Sequence, residues 1–492
     1  MKKLLEMPWL LPAILALGLF AMSARNATDP DLWWHLRTGQ LTMLKHAVFH
    51  DDPFSFTRFH QPWINHEWFS DVFMFEVLRL SGWGGLITAF AAMIAASFLL
   101  VYARCPGRPY LASLFTAWAA LAAAPLCAVR PGMFSLLLAS LLLLIVERGR
   151  ESPLLLWWIP LLMVLWVNVH AGYLVGIAIL ALLLAGEALD TAFGITAATE
   201  AKRRMKRLGL VLVTSLAVVP VNPYGFKMYS YPLQTLHSRA MQAHIAEWFS
   251  PDFHQPQYMA ALLLLLAGIV LIALSPRRLR FGEALLLAAT LYGALSSVRN
   301  LPFFAVVAAP IFSGLAQAWL SAIRRDLFVP STTTPAKLAA NLVLLAVVAG
   351  FSIYRVRSVI AQQPAAEAAI FPQAAVSFLS LHHLPQPLFN HYDWGGYLIW
   401  RLYPGYRVFI DGRADLYGDS FMDAFADTYS LRRKWEDPVR SWGIHTALLP
   451  REAPLLSGLE QEGWREVYRD SLAVIVVQPA ADKPTRGNEP PP

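Results

Sequence analysis

A polytopic α-helical membrane protein with a small α/β domain at its C-terminal end is the fold class this sequence predicts. Three observations predict it. Of 492 residues, 56% are hydrophobic and 15% charged, which is more apolar surface than one soluble core of that length can hide. Apolar stretches of roughly 16–22 residues recur along most of the chain, close to the length that crosses a hydrocarbon core. Beyond about residue 355 the pattern changes to short strand-like runs alternating with helical ones.

In chain order, spans are expected near 8–23, 84–103, 110–128, 132–147, 153–168, 172–189, 208–221, 257–274, 283–298, 301–320 and 337–354, about eleven in all. The first follows Lys2 and Lys3 but lacks a small-residue cleavage site, and further spans follow, so it reads as a retained helix. Alternate short loops carry Arg104 and Arg108, Arg148 and Arg150, Lys202 to Arg207, Arg277 to Arg280, and Arg324 and Arg325. The opposite loops hold only Arg130 and Arg299. Basic loops stay in the cytoplasm. The N-terminus is therefore expected inside and, after an odd number of spans, the C-terminus outside, in a bacterial cytoplasmic membrane with a periplasmic C-terminal domain. The net charge of +7 is this topology signal and implies no nucleic-acid partner. Cys105 and Cys127 fall near opposite membrane faces, where a disulfide cannot join them.

The expected organisation is a membrane domain over 1–354 with outer interfacial loops at 24–83 and 222–256, an α/β domain over 355–478 and a disordered tail at 479–492. The two loops are too polar to span and too apolar to be free, so they read as segments lying along the membrane surface. In the C-terminal domain "QPLFN" reads as a strand, "GGYLIWRL" as a helix and "YRVFI" as a second strand ending in the turn "DGRAD". Helical patterns cover 420–442, "HTALLP" is a strand and "PLLSGLEQEG" a helix. "WREVYRDSLAVIVVQ" reads as a closing hairpin turning near Asp470.

All thirteen histidines fall on the expected outer side. So do Asp29, Asp31, His35, His66 and Glu67 in the first outer block, Arg130 after the third span, and Asn168 and His170 after the fifth. Asn222 and Glu247 lie in the second block, Arg299 after the ninth span, and Asp393 in the C-terminal domain. Carboxylates and arginines from several helix ends on one face are how a site at a bilayer surface is assembled, because unpaired charge is costly deeper in. Each piece also has a plainer reading. Trp33 and Trp34 read most simply as an interfacial aromatic belt; Asp29 or Asp31 could cap the helix that follows. "NHEW" could fix a loop, its His–Glu neighbours being a weak metal motif. His170 could be polar interface, Arg130 and Arg299 could snorkel, and Asn222 with Pro223 and Gly225 forms a helix-terminating turn.

Together these pieces resemble the membrane glycosyltransferases of the GT-C class, including the catalytic subunit of oligosaccharyltransferase. That class begins with one span and a long outer loop bearing a key aspartate, and "DPDLWWHLRTG" occupies that place with Asp31 the better match. "AHIAEW" places Glu247 like the glutamate of a later outer loop, and "SSVRNLPF" offers Arg299 for a late arginine that faces the lipid-linked phosphate. "NHYDWGGYLIWRLYPGYRVFIDGRADLY" is similar to the segment opening that class's soluble domain, with His-Tyr-Asp-Trp-Gly where the class has Trp-Trp-Asp-Tyr-Gly, Asp393 in the aspartate position and Asp411 downstream. "DPDLWWHLRTG", "PWINHEW" and "YDWGGYLIW" also resemble segments of a group of bacterial membrane proteins.

The resemblance implies sugar transfer from a polyprenyl-phosphate or polyprenyl-pyrophosphate donor to a lipid, glycan or protein acceptor on the outer face. Asp31 would accept a proton from the acceptor nucleophile. Arg299 and Arg130 would neutralise the leaving phosphate. Glu247, Glu67 or Asp29 would orient Asp31 or complete a divalent-metal site on Asp31 and Glu247, since some members of the class need Mg or Mn and others none. His35, His66, His170 and Asn222 would contact substrate, with Asp393 and Trp394 shaping the acceptor side. Two other classes fit the composition: a transporter or flippase of lipid-linked glycans, and a non-catalytic envelope assembly protein. A transporter wants ionisable groups near the bilayer midplane; here they gather at helix ends.

Overall fold

The computed structural model describes residues 7–323 and 334–479; Lys2, Lys3, Arg324, Arg325 and the expected disordered tail from 480 lie outside them. The described chain divides into two compact units. One comprises 7–29, 38–48, 64–323 and 334–364, the other 30–37, 49–63 and 365–479.

The first unit is helical: α1 (Met7–Ser23), the C-terminal part of α2 (Leu32–Lys45), α3 (Trp68–Arg104), α4 (Pro109–Ala123), α5 (Gly132–Arg148), α6 (Trp158–Val169), α7 (Tyr173–Ala192), α8 (Ala198–Ala217), α9 (Lys227–His237), α10 (Arg239–His244), α11 (Met259–Leu274), α12 (Phe281–Ser296), α13 (Leu301–Ile323) and most of α14 (Pro335–Ile370). Every expected span falls on one of these helices. Among the described residues, six helical stretches are long and apolar enough to cross a membrane, those containing α3, α4, α7, α11, α13 and α14; α1, α6 and α12 are shorter and apolar. The chain is a polytopic helical membrane protein with a small sheet domain at its C-terminal end.

The core of this unit is α13, buried continuously from Phe304 to Ala316 and packed on α4, α11 and α12. Its most apolar window is 72% buried, whereas that of α14 is 6% buried. Leu342, Val343, Val347 and Phe351 of α14 are exposed, which an aqueous surface would not tolerate in such density and a bilayer rewards. Close crossings rest on missing side chains: a Cβ on Gly186 of α7 would lie 2.3 Å from Gly282 Cα of α12, the small-residue contact by which apolar helices approach. The 37-residue α3 is interrupted at Gly82, whose φ of 61° favours glycine. The stretch before this break lies within the expected first outer block, and the stretch after it is the expected span near 84–103.

The second unit is built on a four-stranded sheet of β1 (Leu388–Asn390), β2 (Thr446–Pro450), β3 (Arg465–Arg469) and β4 (Ala473–Val477), in the order β1-β2-β4-β3. β1 and β2 are parallel; β2–β4 and β3–β4 are antiparallel. The central strands are buried and read as continuous apolar runs, while the edge strand β3 carries exposed charge, as an edge should. Around the sheet lie α15 (Gln373–His382), α16 (Gly395–Leu402), α17 (Ala414–Tyr417), α18 (Asp419–Tyr429), α19 (Glu436–Ser441) and α20 (Pro454–Gln461).

Two sequence expectations need correction here. "YRVFI" is no sheet strand. Val408 makes a single bridge to Ser55, and the Asn390 side chain takes over the ladder by accepting from Phe409 N at 2.8 Å and donating to Ile410 O at 2.8 Å. Trp33 and Trp34 are no aromatic belt. They are 1% and 6% exposed, Trp33 set edge-on to Phe371 and Tyr397 at 5.2 and 4.8 Å.

Candidate active site

In the helical unit, four chain segments bring charged groups together at helix ends. Arg130 precedes α5, Glu247 lies in the short turn Ala246–Trp248, Arg299 in the turn between α12 and α13, and Asp29 follows α1. The Arg130 guanidinium holds the Glu247 carboxylate with two nitrogens, Nη1 on Oε1 and Nη2 on Oε2 at 3.0 Å, a planar fork-to-fork fit. Its Nε lies 3.7 Å from Asp29 Oδ2. The Glu247 turn is tied to the Arg299 turn: Ser297 Oγ donates to Glu247 O at 2.7 Å and Val298 N to Phe249 O at 2.9 Å. Arg299 lies over the Trp248 ring, 4.7 Å from its centroid, a cation–π contact. Burial would raise the Glu247 carboxyl, but the charge and hydrogen bonds of Arg130, with Arg299 beyond, hold it below its ordinary 4.5.

A second cluster adjoins the first. A Cβ on Gly132 would lie 3.9 Å from both Arg130 Nε and His170 Nε2. Glu67 Oε1 lies 3.4 Å from His170 Nε2 and 3.5 Å from His66 Nε2. On the other side of the His170 ring, Nδ1 is 2.7 Å from Ser135 Oγ and receives Gly172 N–H at 3.0 Å. Trp166 Nε1 donates to Ser135 Oγ at 2.7 Å. Nδ1 thus accepts, and the ring proton belongs on Nε2, facing Glu67. Burial pushes the His170 imidazole down to about 3 from 6.5, Glu67 opposing and His66, Arg299 and Arg130 reinforcing.

A pH dependence follows. The folded chain binds the His170 proton less readily than the unfolded chain, so this stabilisation is complete above about pH 6.5 and declines as pH falls toward 3. Melting in detergent should show that acid loss, and His170→Gln should flatten it. An unchanged acid limb in the variant would assign the sensitivity to other groups.

Asn222 stays in its own turn, accepting from Tyr224 N at 2.8 Å and donating to Val219 O at 2.7 Å. Sequence reasoning passed over Ser135 and Trp166, whose roles depend on α5 and α6 packing side by side. As for a divalent ion, Glu247 is already held by Arg130, and among the described residues no group of three or more His, Cys, Asp or Glu is placed to hold a metal. No step below uses a metal.

The sheet unit holds Asp31, His35, Asp393 and Trp394. Trp34 Nε1 donates to Asp31 Oδ1 at 3.2 Å, and a Cβ on Gly412 would lie 1.6 Å from that oxygen, so the carboxylate occupies the space Gly412 leaves open. Tyr392 Oη donates to Gly412 O at 3.2 Å; burial, then Asp31, Asp411, Asp393 and Asp415, raise its phenol well above the ordinary range. His35 is buried against Trp34 and Asp393 is exposed. Trp394 is buried with its indole N–H on Ile370 O at 3.0 Å.

Beside Asp31 this unit contains a network that sequence reasoning missed. Arg413 is fully enclosed, its Nε and Nη2 each 2.7 Å from Asp411 and its Nη1 paired with Asp52 Oδ1 at 2.8 Å. Tyr417 Oη donates to Asp411 Oδ2 at 2.8 Å, and the guanidinium lies over the rings of Trp63 and Phe54 at 4.6 and 5.1 Å. The available signals were "DDPF" and "DGRAD", two acid-rich turns that begin at residues 51 and 411.

No family model and no curated protein matches this sequence. Solved structures do resemble it. The oligosaccharyltransferase AglB of Archaeoglobus fulgidus, in complex with an inhibitory peptide and a dolichol-phosphate, is 12% identical with a TM-score of 0.56, over 90% of this chain and 69% of that one. The same organism's enzyme tethered to an acceptor peptide containing the NVT sequon is 13% identical at 0.55, over 91% and 70%. ArnT of Cupriavidus metallidurans, bound to undecaprenyl phosphate, is 16% identical at 0.50, over 94% and 96%. At such identities the likeness is one of architecture, and the fold of this chain is that of the GT-C-type membrane glycosyltransferases.

Proposed function

We propose that the protein transfers a sugar from a polyprenyl-phosphate or polyprenyl-pyrophosphate donor to an acceptor at the periplasmic face of a bacterial cytoplasmic membrane. The observation that carries this is the meeting of Arg130, Arg299, Glu247 and Asp29, from four distant segments, at helix ends in a chain of this fold. A donor of that kind keeps its tail in lipid and its phosphate at headgroup depth, where helix ends lie. Arg299 and Arg130 neutralise the charge that builds on the leaving phosphate. Glu247 and Asp29 keep Arg130 aimed, and Glu67, paired to two imidazoles, fixes the wall beside it with His170 neutral. Asp31 takes the proton of the acceptor nucleophile as it attacks the anomeric carbon. Exposed Asp393 contributes on the acceptor side, and Trp394 acts by holding α16 in place.

The test is reconstitution in liposomes with radiolabelled polyprenyl-linked sugars. Label should leave the lipid in the presence of membrane-extracted acceptors. Arg299→Gln should cut the rate about 10²–10³-fold, the usual cost of one charge-stabilising donor, with detergent melting unchanged. Full activity in Arg299→Gln would remove the phosphate role, and no transfer from any polyprenyl-linked sugar would overturn the reading.

A further inference from the structure

At the other end of α5 the same helical unit carries a second charged site. The 17 residues of α5 rise about 25 Å from the loop of Arg130 to the loop of Arg150. There Arg150, Leu156 and, from α8, Glu200, Arg203, Arg204 and Arg207 line a cavity of about 150 Å³. The α8 residues lie three and four apart, so they share one helix face. Arg204 pairs with the buried Glu187 carboxylate at 2.8 Å, and Arg150 approaches it at 4.0 Å. Four guanidiniums against Glu187 and Glu200 leave the cavity two positive charges in excess. Burial and the nearby charge of Arg150 hold Arg204 below its ordinary range, a crowding that an anion relieves.

The rim is apolar and uncovered. Leu154, Trp157 and Trp158, which flank the lining residue Leu156, are 82%, 51% and 59% exposed. Exposed tryptophans beside arginines at helix ends are the signature of the headgroup layer, and the sequence reading assigns both loops to the cytoplasmic side. We propose that this arginine cavity binds the phosphate of an anionic phospholipid headgroup, whose acyl chains lie against the Trp157–Trp158 rim. A phosphate presents oxygens to several guanidinium forks at once, and basic cavities between helices near the cytoplasmic surface suit such headgroups. Inorganic phosphate shares that chemistry but not the affinity for the rim.

The experiment uses the full chain in nanodiscs of phosphatidylcholine alone, of phosphatidylcholine with increasing phosphatidylglycerol, and of phosphatidylcholine with inorganic phosphate in the buffer. Melting temperature should rise with phosphatidylglycerol and saturate, as binding to the folded state requires, and should not respond to inorganic phosphate. Arg203→Gln with Arg207→Gln, both exposed side chains, should raise the half-saturating fraction roughly 30-fold, at the usual contribution of one basic group per anionic lipid contact. Arg207→Gln alone should raise it roughly 5-fold, which keeps the test open if the double variant folds poorly. Stabilisation by inorganic phosphate that both variants weaken would make the ligand a soluble anion, and an unchanged phosphatidylglycerol response in the variants would make it bulk lipid. Either result overturns the proposal.

Discussion

Asp31→Asn should leave a folded, membrane-inserted protein whose transfer rate falls by about 10²–10⁴, the range that a positioned base supplies. The substitution is close to isosteric, and an amide oxygen can still accept the Trp34 indole N–H that reaches Asp31 Oδ1 at 3.2 Å, so stability should be nearly unchanged. What is lost is the proton acceptor. Gly412→Ala provides the companion result. Its Cβ would lie 1.6 Å from Asp31 Oδ1, so the carboxylate must move by more than an ångström while its chemistry is untouched. A misplacement of that size costs about 10²-fold. If position and basicity both matter, both variants lose rate in the radiolabel assay with melting retained. Full activity in Asp31→Asn removes the residue from the role. Loss in Asp31→Asn without loss in Gly412→Ala would show a base that tolerates displacement.

The helices were legible because lipid replaces water as their solvent, so apolar length alone marks them without any need for amphipathic spacing. The polar residues at their ends were legible for the same reason. Which of them pair was not. Arg130 and Glu247 are 117 residues apart, and nothing local to "AVRPG" or "IAEW" specifies the match. Asp29 and Asp31 look like one motif in "DPDLWW", yet Asp29 belongs to the helical unit and Asp31 to the sheet unit. "YRVFI" alternates like a strand, but the hydrogen bonds of Val408, Phe409 and Ile410 go to the Asn390 side chain and to residues 54–57, neither of which periodicity can reveal. Trp33 and Trp34 misled because burial in a protein core and residence at a lipid interface select the same side chain.

Removing the Arg413 guanidinium should be the most destabilising single change in the sheet unit. The Arg413 side chain is 1% exposed and those of Asp52 and Asp411 are 0%, so Arg413→Met leaves two carboxylates buried together without a counter-charge. Breaking a buried pair in this way costs about 3–5 kcal/mol, which for a unit of this size lowers its melting temperature by roughly 6–20 °C. Arg413→Lys should recover only part of the loss, because an ammonium cannot repeat the two-pronged contact to Asp411 at 2.7 Å while also reaching Asp52. A double-mutant cycle with Asp52→Asn should give a coupling of about 0.5–3 kcal/mol, since the two groups touch. Additivity in that cycle, or a change in melting within about 0.5 kcal/mol for Arg413→Met, would show the network to be replaceable packing. The network also bears on chemistry. Gly412 lies between Asp411 and Arg413 in the chain, and its backbone forms the wall against which the Asp31 carboxylate rests. Arg413→Met should therefore lose transfer activity even at temperatures where the unit remains folded, whereas Asp52→Asn, which keeps the Asp411–Arg413 fork, should lose less.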